Sequence, residues 1–385
     1  MKAHFKVILG LSLITSIYSC NADNKKKTIA QATIETEIPK TNKQFIKVAL
    51  LLDTSNSMDG LIDQAKAQLW EIVNELSFAK CKNENPNLQI ALYEYGNDRL
   101  NSQEGYIRQV IGFSEDLDEI SEKLFSLTTN GGSEYCGHVI QTSLNQLNWG
   151  KNPDDLKLVF IAGNEPFTQG HISYKDATTN ANEKDVTVNT IFCGDYNQGI
   201  NSYWKDGADL TQGDYMAINH NKATVHIASP YDDAILILNN KLNKTYIHYG
   251  TIGQQKMALQ SEQDSKAESY SKANAVGRTV SKSSHLYKNS SWDLVDAVEM
   301  EEIMLEDIKD EQLPKELKGK SKTEIEAYIS KKQKERNAIN KEIQELNKKR
   351  RAYIAKEQKE KSNGLENAMI NAIKTQAKKK NYQWN

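Results

Sequence analysis

The sequence lacks the features that mark several large classes of protein. It has 385 residues, and 49 Lys and Arg against 51 Asp and Glu residues give a formal net charge of −2. Such a chain has no overall positive field toward nucleic acid or an anionic surface, so we expect no nucleic-acid partner. It has no CxxC pair, which argues against a structural zinc site. No internal repeat and no nucleophile–base pair stand out, and we do not expect an enzyme.

Long apolar runs are also missing, except at the amino terminus. The run at 7–18 follows basic residues, is too short to cross a bilayer, and is typical of a secretory signal. It ends at 17–20 in IYSC, which resembles a bacterial lipoprotein box. The resemblance implies a signal peptide at 1–20, lipidation of Cys20 and a location at the bacterial cell envelope. The alternative is an ordinary signal peptide with an incidental cysteine. Asn21, where an Asp would retain some lipoproteins at the inner membrane, favours the outer membrane.

The rest of the chain divides by composition into four segments. Residues 21–43 are polar, have no apolar period and are predicted to be a flexible tether. Residues 44–250 alternate apolar runs with helical patterns and are predicted to form an α/β domain. Residues 251–320 are predicted to be a polar linker with short helices, and 321–385 a highly charged helical tail.

The α/β segment has the pattern of a doubly wound, mostly parallel sheet. Its apolar runs fit buried strands, and the stretches between them place apolar residues at helical spacing. The predicted strands lie at 45–52, 88–95, 106–113, 156–162 and 186–192, with a short one at 223–227. Ligands of such sheets bind at the carboxyl ends of the strands, so the loops there are the candidate site.

The first of these loops carries an unusual set of oxygens. Asp53, Ser55 and Ser57 follow the first buried strand at every second position. One carboxylate and two hydroxyls suit Mg²⁺ or Mn²⁺, which prefer oxygen ligands. Two other interpretations are open. The side chains could only cap the next helix, or Asp53 could be a phosphatase nucleophile, although Ser55 stands where that chemistry needs a second Asp.

At these residues the chain resembles the von Willebrand factor type A (vWA) domain and its metal-ion-dependent adhesion site. In that family a second loop supplies a Thr after a Gly-Gly pair. Here Ser133 follows Gly131-Gly132, with Thr128 and Thr129 as less favoured alternatives. The resemblance implies Mg²⁺ (or Mn²⁺ or Ca²⁺) as the cofactor and a protein partner that offers an acidic residue. The residues proposed to hold the metal are Asp53, Ser55, Ser57, Ser133, Glu134, Asn164 and Glu165.

The third loop departs from the family pattern. The family usually places an Asp just after a buried strand, whereas this chain has Gly163-Asn164-Glu165. Asn164 or Glu165 could substitute for it. If they do not, the chain is a structural envelope protein with a degenerate metal site that acts through its helical tail.

The positions of two cysteines predict a disulfide. Cys136 and Cys193 are both predicted at the carboxyl edge of the sheet, where a disulfide between them is expected. The alternative is a catalytic pair of Cys136 with His138.

In the tail, apolar and basic residues recur at three-four spacing from Ile325 to Tyr353, the pattern of a weak coiled coil. This helix could pair in a homo-oligomer, fold back on residues 292–305, or stand alone in solvent.

Overall fold

The computed structural model describes residues 43–222, 226–357 and 365–384. The predicted signal peptide, Cys20 and all but the last residue of the predicted tether lie outside these residues. The strands are β1 Phe45–Asp53, β2 Ala79–Cys81, β3 Asn87–Tyr95, β4 Ile107–Ser114, β5 Leu156–Gly163, β6 Thr187–Cys193, β7 Tyr215–Ile218 and β8 Tyr382–Trp384. The helices are α1 Asp59–Leu76, α2 Leu117–Phe125, α3 Cys136–Gln146, α4 Tyr174–Glu183, α5 Tyr196–Asn201, α6 Trp204–Asp209, α7 Asp232–Asn243, α8 Gly253–Tyr270, α9 Lys272–Lys282, α10 Leu294–Glu299, α11 Lys322–Glu357 and α12 Leu365–Lys378.

Six strands form the central sheet, in the order β4-β3-β1-β5-β6-β7. All neighbours pair in parallel except β3 and β4, which are antiparallel. The predicted doubly wound, mostly parallel sheet is therefore confirmed. The strand predicted at 223–227 falls partly on residues outside the described ones, and the last strand of the sheet is β7 instead.

Both faces of β1 are buried, as its unbroken apolar sequence requires. Val48, Leu50 and Leu52 point into the core on the side of α1, α2 and α12. Ala49 and Leu51 point into a second core, which is covered by α3, α4 and Trp204 of α6. This three-layer arrangement holds β1 in the middle of the sheet and fixes the direction in which its carboxyl end points.

The segment predicted to be a polar linker forms helices that are packed on the domain. The side of α1 facing away from the sheet is covered by α9, whose Gly277 carbonyl accepts a hydrogen bond from Asn74 Nδ2 at 2.9 Å. Helix α8 packs in turn on α9 and α2. The polar composition of α9 suggests an exposed segment, but its polar side chains are buried in pairs. Arg278, for example, lies 2.7 Å from Asp118.

The long helix α11 folds back on the same chain, one of the three arrangements that its sequence left open. It packs against α7, α9 and α10. Arg336, one of the basic seam residues, is buried and donates to Asp293 Oδ2 at 2.6 Å and to the Thr245 carbonyl at 2.9 Å. The carboxyl terminus returns to the domain as well, because α12 covers α1 and β8 pairs antiparallel with β2.

No helix within the described residues combines the length and the apolarity needed to cross a membrane.

Candidate metal site

Asp53 is the last residue of β1 and has no solvent exposure. One of its oxygens, Oδ1, accepts the Ser55 backbone N–H at 2.7 Å, which turns the chain sharply at the end of the strand. The hydroxyls of Ser55 and Ser57 then lie 3.3 Å apart. Neither the short 3-10 turn at Asn56–Met58 nor α1 has a side-chain cap, so the helix-capping interpretation is not supported.

The second loop, residues 128–135, lies against the end of β3. Its Asn130 N–H donates to the Thr54 carbonyl at 2.9 Å, which ties it to the first loop. Gly132 packs so closely that an added Cβ would lie 2.3 Å from the Gly96 carbonyl oxygen. Gly96 itself has a φ of +76°, and a Cβ there would lie 2.7 Å from Asp53 Oδ1 and 2.8 Å from Glu134 Cγ. These contacts bring the Glu134 carboxylate to the Asp53 carboxylate.

The two carboxyl groups are buried together, and no basic side chain among the described residues forms an ion pair with either of them. Burial, followed by the adjacent Glu134, raises the pKa of Asp53 well above its usual value. Burial also raises the pKa of Glu134. No basic side chain is among the main influences on either group. Like charges in a dry site repel strongly, so the arrangement calls for an added positive charge.

The third loop supplies an amide where the family pattern has a carboxylate. Asn164 is half-buried, and its Nδ2 donates to Ser57 Oγ at 3.2 Å. Glu165 is exposed; its carbonyl accepts the Trp204 indole N–H at 2.8 Å. Gln169 joins the second and third loops, because it donates to Glu165 Oε2 at 3.4 Å and accepts the Glu134 backbone N–H at 3.1 Å.

Three buried oxygens in these loops have no hydrogen-bond partner in the described part of the chain: Asp53 Oδ2, Glu134 Oε2 and Asn164 Oδ1. Unpartnered buried polar atoms are rare in folded proteins and require an explanation. Together with the Ser55 and Ser57 hydroxyls they form an oxygen-only donor set, which suits a hard divalent cation. Within the described residues no group of three or more His, Cys, Asp and Glu side chains is arranged to hold a metal. The donor set found here instead mixes two carboxylates with hydroxyls and an amide.

The hydroxyl expected from the second loop is less well placed. Ser133 is half-buried beside Glu134, but within the described part of the chain no hydrogen bond joins it to Asp53, Ser55 or Ser57. Thr129 Oγ1 donates instead to Asp59 Oδ1 at the start of α1. The Thr128 carbonyl accepts Asn97 Nδ2 at 3.0 Å. The carboxylate of the neighbouring Glu134, and not the Ser133 hydroxyl, is the side chain of this loop that lies beside Asp53.

The predicted disulfide between Cys136 and Cys193 is absent, because both thiols are free and buried. The two cysteines occupy the start of α3 and the end of β6, where each packs into a different core. Burial raises the pKa of the Cys136 thiol well above its usual value. A catalytic pair with His138 would need a thiolate, which this environment disfavours.

Sequence reasoning missed Gly96 and Gln169, together with Tyr95, whose hydroxyl donates to the Ala162 carbonyl at 3.0 Å. Tyr95 and Gly96 stand at the carboxyl end of β3, the strand next to β1. The rule that strand ends converge could have identified these two. Gln169 lies several residues beyond β5, and no local pattern marks it.

The fold and the three loops at the carboxyl edge of the sheet define a class of protein. It is a doubly wound α/β domain with an oxygen-lined site at the carboxyl ends of its parallel strands. Within it, residues 47–208 match the model of the von Willebrand factor type A domain. The chain thus contains a vWA domain, as the sequence predicted. No curated protein matches the chain.

Several solved structures are similar to this chain at low identity. The conserved hypothetical protein BatB from Bacteroides thetaiotaomicron is 14% identical, with a TM-score of 0.35 over 45% of this chain and 90% of that one. The SpRpn10 VWA domain is 14% identical, with a TM-score of 0.32 over 45% and 87%. Proximal thread matrix protein 1 from the mussel byssus, with a zinc-occupied MIDAS motif, is 12% identical, with a TM-score of 0.34 over 47% and 43%.

Proposed function

We propose that the vWA domain binds a divalent cation at this edge of the sheet and uses it to hold an acidic side chain of a protein partner. The observation that carries the proposal is the set of unpartnered buried oxygens on Asp53, Glu134 and Asn164. The protein ligands of the ion would be Asp53, Ser55, Ser57 and Glu134, with Asn164 as the last of them. The role is binding rather than catalysis.

The chemistry of this donor set favours Mg²⁺ or Mn²⁺. Both ions prefer oxygen ligands, and Mg²⁺ usually keeps part of its coordination shell for water or substrate. A bound ion would supply the positive charge that no basic side chain provides beside Asp53 and Glu134. An external carboxylate is the natural ligand for a position that the chain leaves open, which is why an acidic partner is proposed.

The proposed location is the bacterial cell envelope, with a lipid on Cys20 and the outer membrane favoured. This part of the proposal rests on the sequence at 17–20, which resembles a lipoprotein box. Mass spectrometry of the membrane fraction would test it. An amino-terminal peptide that begins at Cys20 and carries acyl chains is expected, and an unmodified peptide beginning elsewhere would refute the anchor.

Calorimetric titration of the chain with Mg²⁺ and Mn²⁺ tests the metal site. We expect saturable binding with one site, and its loss in Asp53→Asn, which removes charge but keeps the side-chain size. Asp195→Asn is the matched control, because Asp195 caps α5 at the same edge of the sheet and Asn can also cap. Binding that survives in Asp53→Asn would overturn the proposal.

One observation favours a second candidate, a structural envelope protein with a degenerate site. The Asn164 amide donates to Ser57 Oγ, and a hydroxyl that accepts this bond offers the cation one lone pair fewer. If this second candidate is correct, neither Mg²⁺ nor Mn²⁺ binds the unmodified chain, and the large helical region performs the function. The same titration separates the two candidates.

A further inference from the structure

A cavity of about 340 Å³ lies in the helical region, away from the metal site. Its wall consists of the end of α9 with the residues after it, α10, and the middle of α11. Small-molecule sites in proteins have volumes of roughly 300–1,000 Å³, so this cavity is large enough for a small ligand. Nothing in the proposed role of the vWA domain uses it.

The three cations in its wall are already paired with carboxylates of the protein. Lys288 Nζ lies 3.6 Å from Glu115 Oε2 and also donates to Asn87 Oδ1. Lys282 Nζ lies 2.8 Å from Asp264 Oδ2 and 3.0 Å from Asn239 Oδ1. Arg336 is bound to Asp293 and Asp296. An anionic ligand such as phosphate would have to compete with these carboxylates for the same cations. The cavity is therefore poorly suited to an anion.

The carboxylate in the wall is satisfied as well. Asp296 accepts the Asn289 backbone N–H at 2.9 Å through Oδ2 and an Arg336 N–H through Oδ1. Glu299, the other acidic residue of the wall, is exposed at its edge. A cationic ligand would find no free buried carboxylate here. The cavity lacks a strong preference for charge of either sign.

Two wall residues carry buried polar atoms that lack a hydrogen-bond partner among the described residues, His285 Nε2 and Asn340 Oδ1. Burial lowers the pKa of the His285 ring to about 4, against a smaller opposing effect of the nearby Pro86 backbone. The ring is therefore neutral near pH 7, with one nitrogen that donates and one that accepts. Asn340 Oδ1 can only accept and His285 Nε2 can accept or donate, so the two atoms suit an uncharged group that does both, such as a hydroxyl. Asn337 adds an amide, and Tyr246 and Tyr287 add aromatic surface.

We propose that this cavity binds a small neutral polyhydroxyl compound, of the class of a monosaccharide. Its hydroxyls would donate to Asn340 Oδ1 and exchange hydrogen bonds with His285 and the Asn337 amide. The apolar face of a sugar ring would pack on the tyrosines. The site is independent of the metal site, because no residue of its wall belongs to the loops around Asp53.

The test is a titration of the full-length chain, in detergent, by ligand-observed NMR. The probes are D-glucose, D-galactose and N-acetyl-D-glucosamine, with inorganic phosphate and putrescine as charged counter-probes. We expect at least one neutral sugar to bind saturably with a dissociation constant below about 10 mM. Failure of all three sugars, or tighter binding of phosphate or putrescine, would overturn the proposal.

A pair of variants locates the binding. Asn337→Phe places a ring at the cavity wall and should weaken sugar binding by roughly tenfold or more. Ala338→Phe places the same ring on the next residue of α11, which is exposed and outside the wall, and should leave binding unchanged. Equal effects of the two variants would place the sugar elsewhere. Binding should also persist in EDTA and in Asp53→Asn, and its loss there would assign the sugar to the metal site.

Discussion

Glu134 is the residue that we propose replaces the Asp missing from the third loop. It is buried against Asp53 with an unpartnered oxygen, whereas Glu165 is exposed and accepts a hydrogen bond from Gln169. We expect Glu134→Gln to weaken Mg²⁺ binding by roughly tenfold or more, because it removes a ligand charge from a dry site. Glu165→Gln, the matched control, should change the affinity by less than about twofold. Calorimetric titration measures both, and a larger effect of Glu165→Gln would reverse the assignment.

The residues of the site differ in how far the sequence could predict them. Asp53, Ser55 and Ser57 could be found because one strand and its turn hold them together, so their spacing along the chain is their spacing in space. The role of Gly96 depends on the approach of two other loops, which local sequence does not encode. The disulfide prediction failed for a related reason. It assumed that two cysteines at one edge must meet, although Cys136 and Cys193 pack into different cores on the two sides of the sheet.

Among the elements, α12 carries a pH-sensitive contact with α1. Glu366, in its first turn, is largely buried near Glu71 and Glu75, and burial followed by these carboxylates raises its pKa to about 7. The folded chain thus keeps a proton that the unfolded chain releases near pH 4.5. The stabilisation from protonated Glu366 is complete below that value and is lost as the pH rises through about 7.

Glu366→Gln should remove this dependence, because Gln stays neutral at every pH. We expect the variant to be more stable than the unmodified chain at pH 8, by roughly 2–3 kcal/mol, with a much smaller difference at pH 5. Urea unfolding at the two pH values measures it. Glu324→Gln is the control: this exposed Glu in the first turn of α11 accepts from Ser321 N at 2.9 Å, so its replacement should bring no gain at pH 8. A pH-independent difference for Glu366→Gln would contradict the assignment.

Helix α11 is held by a buried ion pair that its sequence pattern does not reveal. Arg336 is buried among Asp293, Asp296 and Thr245, and its guanidinium lies 4.2 Å from the centre of the Tyr246 ring. Arg336→Met would leave the fully buried Asp293 without its counter-charge. We expect a loss of about 3–5 kcal/mol in the free energy of unfolding. Denaturant unfolding measures it, with Lys334→Met on the exposed side of α11 as the control; a loss below about 1 kcal/mol would show that the pair is not needed.

At the scale of the whole molecule, the order of elements was more predictable than their packing. The alternation of apolar strands and amphipathic helices encodes the vWA domain directly, because each element needs one buried face. The linker predicted at 251–320 illustrates the limit. Composition reports the average polarity of a segment, whereas burial in α9 depends on pairing each polar group, as Arg278 does with Asp118 and Asp264. Such ion pairs join residues far apart in the sequence, and no local sequence pattern predicts them.

These helices join the vWA domain and the carboxyl-terminal region in one compact unit. The described residues from 43 onward form a single compact unit, and its largest apolar core runs from Ile46 to Tyr382. Helix α1 shares an apolar core with β1 and packs against α9 and α12. Trp70 of α1, for example, is 1% exposed and packs under Arg278, 5.1 Å from its guanidinium. Removal of residues 251–385 would expose this surface of α1.

We therefore expect a fragment of residues 44–250 to lose its native packing, because a domain cannot leave a helix face of this size bare in water. It should bind a hydrophobic dye and lack a cooperative thermal transition. The matched control is a fragment of residues 44–385, which keeps every helix and should unfold in one transition, since domains that share a core unfold together. Calorimetry and near-ultraviolet circular dichroism measure both. A cooperative transition in the shorter fragment, or two separate transitions in the longer one, would show instead that the helical region is an independent domain.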